Sequence, residues 1–221
     1  MFWGGSLSTQ QLAYLAKTEE IHSRYFYLLP KIHKAHSSWP LPNIPPGRPI
    51  VSDVDTESSR ICAFIDYHLQ PLSILHTSYI KDTYHFIQKI RNQVIDPQWL
   101  LIIADVESLY INMRIDIILD SIRNIFHQYP DPAHPETGFM ELLELTLRNN
   151  DFEFNGQFFL QILGITMGRK YAPAAANIYL CANIYLCQFD ESAMHDYPIR
   201  PQLYSRFLDD IFAIWHSNRS E

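Results

Sequence analysis

The chain has 221 residues, of which 47% are hydrophobic and 19% are charged, and this composition excludes a disordered chain. No apolar run is long enough to span a bilayer, and the N-terminus lacks the basic start and apolar stretch of a secretory signal. The formal net charge of −7 weighs against nucleic acid as a partner, although two stretches free of acidic residues, RYFYLLPKIHKAH and PPGRPIV, are basic.

The first fifty residues predict a short helix followed by two strands. Ser8 and Gln11 form a capping box at the start of QLAYLAKTEEI, a pattern typical of a helix N-terminus. RYFYLL (24–29) predicts a strand. The proline-rich stretch 35–49 predicts an extended loop that ends in a second strand, PIVS.

Two helices and a buried strand are predicted next. The stretch 59–72 has an apolar helical face and stops at Pro71, and 82–93 predicts a helix that Asp82 caps. WLLIIADV (99–106) is a continuous apolar run that ends in a carboxylate. Such runs are typical of a strand that is buried on both faces.

The following part of the chain predicts two more helices and a hairpin. The helices lie at about 114–128 and 138–149. An Asn-Gly pair between aromatic flanks in FEFNGQFFLQ is a strong hairpin signal. A glycine-rich turn at 164–168 and a helix from about Pro173 come after it.

The hexamer ANIYLC occurs twice in tandem, at 176–181 and 182–187, which indicates a local duplication. Inside a helix, six extra residues add ~9 Å and turn the downstream face by ~240°. We therefore expect a bulge or an altered helix end there. The repeat contains Cys181 and Cys187, which together with Cys62 show no metal-ligand spacing and predict free thiols in a reducing compartment.

The stretch YSRFLDDIFAIW places Asp209 and Asp210 between two predicted strands, Leu203–Leu208 and Ile211–Trp215. A plain hairpin tip is one interpretation, because an aspartate side chain can bond its own backbone in a turn. The other interpretation is a metal-binding pair, because a carboxylate in apolar surroundings is costly unless it is paired or bound to a metal.

A third carboxylate, Asp105, is delivered to a strand end by the apolar run LLIIAD. Asp105, Asp209 and Asp210 would repel one another if brought together, unless a divalent cation neutralised them. Oxygen ligands suit Mg²⁺, and two such ions can clamp the attacking and leaving oxygens of a phosphoryl transfer.

In their order and number, the motifs of this chain resemble those of reverse transcriptases. The residues within the motifs are similar to those of the Penelope-like retroelement family, which is related to telomerase. The resemblance covers nearly the whole chain and includes YLLPKIHK, GRPIVS, DVESLYIN, ITMGRKYAPAAAN and RFLDDIFAIW. It implies an α+β fold of the right-hand polymerase type, with an antiparallel palm sheet packed on helices. Fingers are expected over 1–98 and a partial palm over 99–221, with helices at 114–149, and the thumb is expected to be missing after the Asp-Asp motif.

The resemblance also implies an acidic metal site. Asp105 and Asp209 would bind two Mg²⁺ ions, with Mn²⁺ possible, and Asp210 would complete the catalytic triad. The backbone carbonyl of Val106 is a further expected metal ligand. Tyr110 would lie under the sugar of the incoming nucleotide and clash with a 2′-OH, which favours deoxynucleotides; a core role is the alternative for this ring.

The resemblance further implies that two basic residues in the fingers motifs would hold the triphosphate of the nucleotide. They are Lys34 and Arg48, and an arginine suits this role because its fork binds phosphate bidentately. Lys31 competes with Lys34 for the role. Arg48 could instead pair with a nearby acid such as Asp53.

A glycine-containing motif is expected to lie against the template and the nucleotide. In it Met167 and Gly168 would contact the nucleotide, and Pro173 and Asn177 the template and primer. Glycine suits this position because it lets the backbone approach a base or phosphate closely. The alternative is that Gly164 and Gly168 only shape a turn before a helix.

The activity implied is RNA-directed DNA synthesis, in which dNTPs extend a DNA primer on an RNA template. A retroelement lifestyle implies a nuclear site, no membrane partner is expected, and the sequence gives no oligomeric state. The alternative is a catalytically inactive retroelement remnant that keeps the fold and weak nucleic-acid binding, which the duplication and the truncation favour. A metal nuclease fits less well, because it needs no triphosphate grip such as Arg48 or sugar contact such as Tyr110.

Overall fold

The computed structural model describes residues 7–16, 21–131, 134–182 and 201–215. Within these ranges the chain divides into two compact units, Met1–His68 with Asp131–Ala172, and Leu69–Pro130 with Pro173–Glu221. Both combine helices with antiparallel strands, which confirms the predicted mixture of helix and antiparallel sheet. None of the described helices is long and apolar enough to cross a membrane.

The helices and strands follow the predicted order closely. The helices are α1 (Thr9–Leu15), α2 (Ser59–Leu69), α3 (Thr83–Arg91), α4 (Leu109–Asn112), α5 (Ile115–Gln128), α6 (Glu136–Arg148) and α7 (Ala172–Ala182). The strands are β1 (Phe26–Pro30), β2 (Gly47–Val51), β3 (Leu100–Asp105), β4 (Asp151–Phe154), β5 (Gln157–Leu160), β6 (Leu203–Phe207) and β7 (Asp210–Trp215).

The predicted helix caps are confirmed. The Ser8 hydroxyl accepts the Gln11 amide at 3.2 Å, while the Gln11 side chain accepts the Ser8 amide at 2.8 Å, which completes the capping box of α1. Asp82 Oδ1 accepts the His85 amide at 2.8 Å at the start of α3. These bonds satisfy backbone donors that the first turn of a helix leaves without an intrahelical partner.

The first unit holds two antiparallel strand pairs. β1 and β2 pair from Phe26 opposite Val51 to Pro30 opposite Gly47. β4 and β5 form the predicted hairpin, whose Asn-Gly turn has positive φ at both residues, 52° and 73°. Asparagine and glycine favour this turn because they tolerate the left-handed region better than other residues.

The core of the first unit is built on α2 and α6. Phe139, Leu143 and Leu147 of α6 lie four residues apart and are fully buried, as the helical period requires for a single apolar face. In α2, Ile65 is fully buried, and the Phe64 ring packs with its centroid 6.4 Å from that of Phe139.

His68 makes the stability of the first unit depend on pH. Burial lowers the pKa of His68, and the charge of His134 lowers it further, whereas Asp131 opposes both effects. Because the folded pKa lies below the unfolded one, the stability contribution is present above about pH 6.5 and is lost as the pH falls toward the folded pKa.

We therefore expect the melting temperature to fall between pH 7.5 and pH 5.5, and to fall less in His68→Gln. Thermal unfolding across this range checks the prediction, with His33→Gln as the control because His33 is exposed. Identical pH profiles for wild type and His68→Gln would contradict it.

The second unit contains a three-stranded antiparallel sheet in the order β3–β7–β6. β3 and β7 pair from Leu100 opposite Trp215 to Asp105 opposite Asp210. β7 buries Ala213 and Ile214, and the amphipathic helix α5 buries one mainly apolar face. The residues of that face are Ile118, Leu119, Ser121, Ile122 and Phe126.

The expectation that β3 is buried on both faces is wrong. All six of its residues are exposed, and Ile103 is 82% exposed. Within the described residues β3 is the edge strand of an antiparallel sheet and pairs with β7 on one side, whereas strands buried on both faces are typical of parallel sheets that helices cover. The apolar run predicted the strand correctly but could not predict this position.

Candidate active site

The register of the sheet brings the three aspartates to one end of it. Asp105 is the last residue of β3 and Asp210 the first of β7, and their Cα atoms are partners across the pair. Asp209 lies in the two-residue turn between β6 and β7, and its carbonyl accepts the Val106 amide at 2.9 Å. Directly opposite residues point to the same face of a sheet, so Asp105 and Asp210 share a face.

The electrostatics of the turn reflect this closeness. Desolvation raises the pKa of Asp210 above its usual range, and the charges of Asp209 and Asp105 raise it further. The negative charges of Asp105 and Asp209 therefore disfavour ionisation of Asp210, and a cation placed beside Asp210 would relieve the repulsion.

A site for a metal ion in this turn would need ligands beyond these side chains. Among the described residues, no group of three or more His, Cys, Asp or Glu side chains is placed to hold one ion. Mg²⁺ is usually bound by one or two carboxylates together with substrate phosphates and water. The paired Asp105 and Asp210, with Asp209 beside them, fit that donor set.

The repulsion predicts the behaviour of an Asp210→Asn variant. Like charges directly opposite on a sheet are destabilising, so removing one of them should stabilise the chain in EDTA. We expect a rise of about 1–2 °C in the melting temperature. Thermal unfolding checks this, and the opposite result, a lower melting temperature in EDTA, would contradict the charge repulsion.

Tyr110 lies five residues after Asp105, in the short helix α4. The helix follows Ser108, whose φ of 54° turns the chain after β3. Leu109 is buried, whereas Tyr110 is half-buried, so the ring is not fully absorbed into a core. Glu107 is exposed in the same turn.

Pro173 and Asn177 lie on α7, beside the hairpin of the second unit. Both line a pocket of about 170 Å³ together with Tyr79 and Leu208. Pro173 is exposed, but Asn177 is only 7% exposed, and its Oδ1 accepts a hydrogen bond from Arg206 at 3.3 Å. The Asn177 side chain is thus engaged within the protein.

The first unit carries the predicted triphosphate residues. Arg48 lies on β2 opposite Leu29 and is exposed, and among the described residues its side chain makes no hydrogen bond or ion pair. The alternative pairing with Asp53 is not formed. Lys34 is exposed in the turn after β1, and Lys31 is half-buried in the same turn.

The loop that contains Met167 and Gly168 packs directly on β2. The Val51 amide donates to the Met167 carbonyl at 2.8 Å. Gly168 has φ +132°, and a Cβ there would lie 2.0 Å from the Val51 carbonyl oxygen. Only glycine allows this approach, so Gly168 joins the loop to the strand that bears Arg48.

A buried ionic network lies beside this loop and was not predicted from the sequence. Arg169 is 2% exposed and donates to Asn150 Oδ1 at 2.9 Å and to Ser58 Oγ at 3.0 Å. Asp53 lies between two arginines, 3.5 Å from Arg169 and 3.9 Å from Arg24. This pairing explains why Asp53 does not bind Arg48.

The thiol of Cys62 belongs to the same network. It accepts a hydrogen bond from Arg169 Nη1 at 3.1 Å, and burial raises its pKa to about 12. Cys62 is therefore a neutral, buried thiol, as the sequence predicted. Cys187 lies outside the described residues, as does the second ANIYLC copy beyond Ala182; the first copy lies within α7.

The structure thus assembles two groups of predicted residues. The three aspartates, Val106 and Asn177 belong to the second unit. Arg48, Met167 and Gly168 belong to the first. Their roles remain predictions.

Comparison with known structures defines the class of fold. No protein-family model and no curated protein matches the chain. Apo telomerase from Candida tropicalis, truncated from its C-terminal domain, matches with a TM-score of 0.60 and 12% identity over 88% of this chain and 44% of that one. The fold is therefore similar to that of a nucleic-acid polymerase.

Two further solved structures agree. Telomerase from Candida albicans, in complex with a fragment of telomeric RNA, has a TM-score of 0.55 and 12% identity over 89% of this chain and 38% of its own. An RNA-dependent RNA polymerase has a TM-score of 0.61 and 9% identity over 96% of this chain and 19% of its own. The chain therefore spans less than half the length of each of these proteins.

Proposed function

We propose that the chain is the fingers and palm part of an RNA-directed DNA polymerase of the Penelope-like retroelement family. The observation that carries the proposal is the pairing of Asp105 with Asp210, with the Asp209 carbonyl bonded to Val106, at one end of the sheet. Two distant parts of the sequence, Asp105 and the Asp209-Asp210 pair, thus lie at the same end of a sheet in a polymerase-like fold. A hairpin turn without a functional site would not need a further carboxylate at the end of the neighbouring strand.

The turn between β6 and β7, together with the end of β3, would hold two Mg²⁺ ions, or Mn²⁺. Asp105 and Asp209 would be the main ligands, with Asp210 and the Val106 carbonyl beside them. Bound ions would lower the pKa of the primer 3′-OH and neutralise charge on the leaving pyrophosphate. The protein contributes the fixed spacing of its carboxylates, which the register of β3 and β7 sets.

The nucleotide would be held by the basic residues of the fingers motifs, by the glycine-containing motif and by Tyr110. Arg48 has an exposed guanidinium without a protein partner among the described residues, which suits a bidentate contact to phosphate. Lys34 would add a second positive charge. Met167 and Gly168 would lie against the nucleotide, and the half-buried Tyr110 would pack under its sugar and favour dNTPs.

The nucleic-acid partners would be an RNA template and a DNA primer, with Pro173 and Asn177 near them and the nucleus as the site of action. Pro173 is the exposed member of this pair, so it would make the direct contact. Asn177, whose side chain accepts a hydrogen bond from Arg206, would contribute from its place within the protein.

Primer extension tests the proposal. The purified chain is given an RNA template, a labelled DNA primer and dNTPs, with Mg²⁺ or Mn²⁺ in one series and EDTA in the other. We expect extension that requires both the metal and the dNTPs, and little extension with ribonucleotides. Absence of extension from a folded chain would contradict an active polymerase and favour the inactive remnant, which the tandem ANIYLC copies before the Asp-Asp motif already suggest.

A further inference from the structure

We propose that Arg206 is a positioning residue for Asp209. Its buried guanidinium ties the turn between β6 and β7 to α7 and so fixes the carboxylate that the turn carries. The role of Asp209 in metal binding rests on the proposed function, but the positioning itself does not.

Arg206 is held tightly within the second unit. It is 1% exposed, which is unusual for an arginine, and lies on β6 three residues before Asp209. Its backbone amide donates to the Ser78 carbonyl at 2.7 Å, and its carbonyl accepts the Ile80 amide at 2.9 Å. The backbone of Arg206 is therefore anchored independently of its side chain.

The side chain reaches forward to the turn. Nη1 donates to the Leu208 carbonyl at 3.0 Å and to Asn177 Oδ1 at 3.3 Å, and Nη2 lies 3.4 Å from His76 Nε2. One guanidinium thus joins the turn to a helix and to a loop. A lysine could not serve all three contacts, because its donors leave a single nitrogen instead of a planar fork.

The turn needs such support because of Leu208. This residue has φ 51°, in the left-handed region that a branched side chain rarely adopts. The bond from Arg206 is made to the carbonyl of this same residue. The next carbonyl, that of Asp209, accepts the Val106 amide at 2.9 Å and so connects the turn to the strand of Asp105.

These contacts form one continuous path, from Asn177 through Arg206 and Leu208 to Asp209 and Val106. Loss of the guanidinium frees Leu208 to leave its left-handed conformation. The Asp209 carbonyl then moves, and its bond to the Val106 amide opens. That bond is a local reporter of the turn that needs neither metal nor substrate.

Amide hydrogen exchange of the full chain in EDTA tests the proposal, with Arg206→Met as the variant because methionine replaces the volume without the donors. We expect exchange at the Val106 amide to become at least ten-fold faster than in wild type. The amides of the β3–β7 ladder serve as the internal reference and should change less than two-fold. An unchanged Val106 rate, or an equal rise at every amide, would overturn the positioning role.

A second variant separates positioning from general packing. Glycine adopts positive φ without strain, so Leu208→Gly should reduce the dependence of the turn on Arg206. We expect Arg206→Met to accelerate Val106 exchange at least ten-fold in wild type but less than three-fold in the Leu208→Gly background. Equal factors in the two backgrounds would overturn the proposal. If Arg206→Met does not fold, Arg206→Lys is measured in both backgrounds and judged by the same comparison of factors.

Mn²⁺ binding followed by electron paramagnetic resonance links the turn to the proposed function. We expect Arg206→Met to weaken Mn²⁺ binding about ten-fold, and Asp209→Asn to remove it. A wild-type chain that binds no Mn²⁺ would contradict the proposed metal site, and the exchange result would still decide the role of Arg206. Unchanged Mn²⁺ affinity in a variant with fast Val106 exchange would show that the turn moves without affecting the site, which overturns the positioning of the carboxylate.

Discussion

Replacement of Asp209 by asparagine is expected to lower the rate of metal-dependent nucleotide addition at least about a thousand-fold, which corresponds to about 4 kcal/mol of transition-state stabilisation. Asparagine has almost the same shape as aspartate but lacks the charge that a divalent ion needs. The fold should survive, because Asp209 supports the sheet through its backbone carbonyl, which accepts the Val106 amide and is kept in the variant.

The matched control is Glu107→Gln, which removes a carboxylate from the same end of the sheet. Glu107 follows Asp105 by two residues and is exposed in the turn after β3. Single-nucleotide addition is measured for both variants beside wild type, with thermal unfolding to verify the fold. Equal losses in the two variants would contradict a specific role for Asp209, since a general loss of negative charge would then be sufficient.

The placement of the three aspartates at strand ends could be predicted from the sequence because its signals are local. An apolar run that ends in Asp105 and a hairpin pattern around Asp209 each define an element end within a dozen residues. Their meeting was an inference, and the register of β3 with β7 now places Asp105 opposite Asp210. The capping of α1 by Ser8 could be predicted for the same reason, because its hydrogen bond joins residues only three apart in sequence.

Other features could not be predicted, because they depend on which distant segments meet. Arg169 and Arg206 are buried, although an arginine is ordinarily exposed and nothing in a single sequence names its partners. The one available signal is that Arg206 lies within the apolar stretch YSRFL. The expectation that β3 is buried on both faces was wrong for a related reason. An apolar run does not distinguish a strand of a covered parallel sheet from an edge strand of an antiparallel one.

Replacement of Gly168 by alanine is expected to destabilise the first unit by at least about 3 kcal/mol. Two effects add. The φ of +132° is a conformation that a residue with a Cβ rarely adopts, and the new Cβ would lie 2.0 Å from the Val51 carbonyl oxygen. The neighbouring atom belongs to the backbone of β2, so the clash cannot be relieved by the rotation of a side chain.

Gly156→Ala separates the two effects. Gly156 also has a positive φ, +73°, but nothing lies within 4 Å of the position that its Cβ would occupy. Alanine there suffers conformational strain alone, at about 1 kcal/mol. Urea unfolding of both variants beside wild type therefore isolates the cost of the contact with Val51.

The two glycine variants also bear on the proposed nucleotide site, because Gly168 packs on the strand that carries Arg48. If the loop moves away from β2 to relieve the clash, the bond between the Val51 amide and the Met167 carbonyl breaks, while Arg48 keeps its place opposite Leu29. Gly168→Ala should then weaken dNTP binding more than Gly156→Ala does. Equal loss of stability in the two alanine variants would show that the loop does not lie against β2, and the assignment of Met167 and Gly168 to the nucleotide would lose its structural basis.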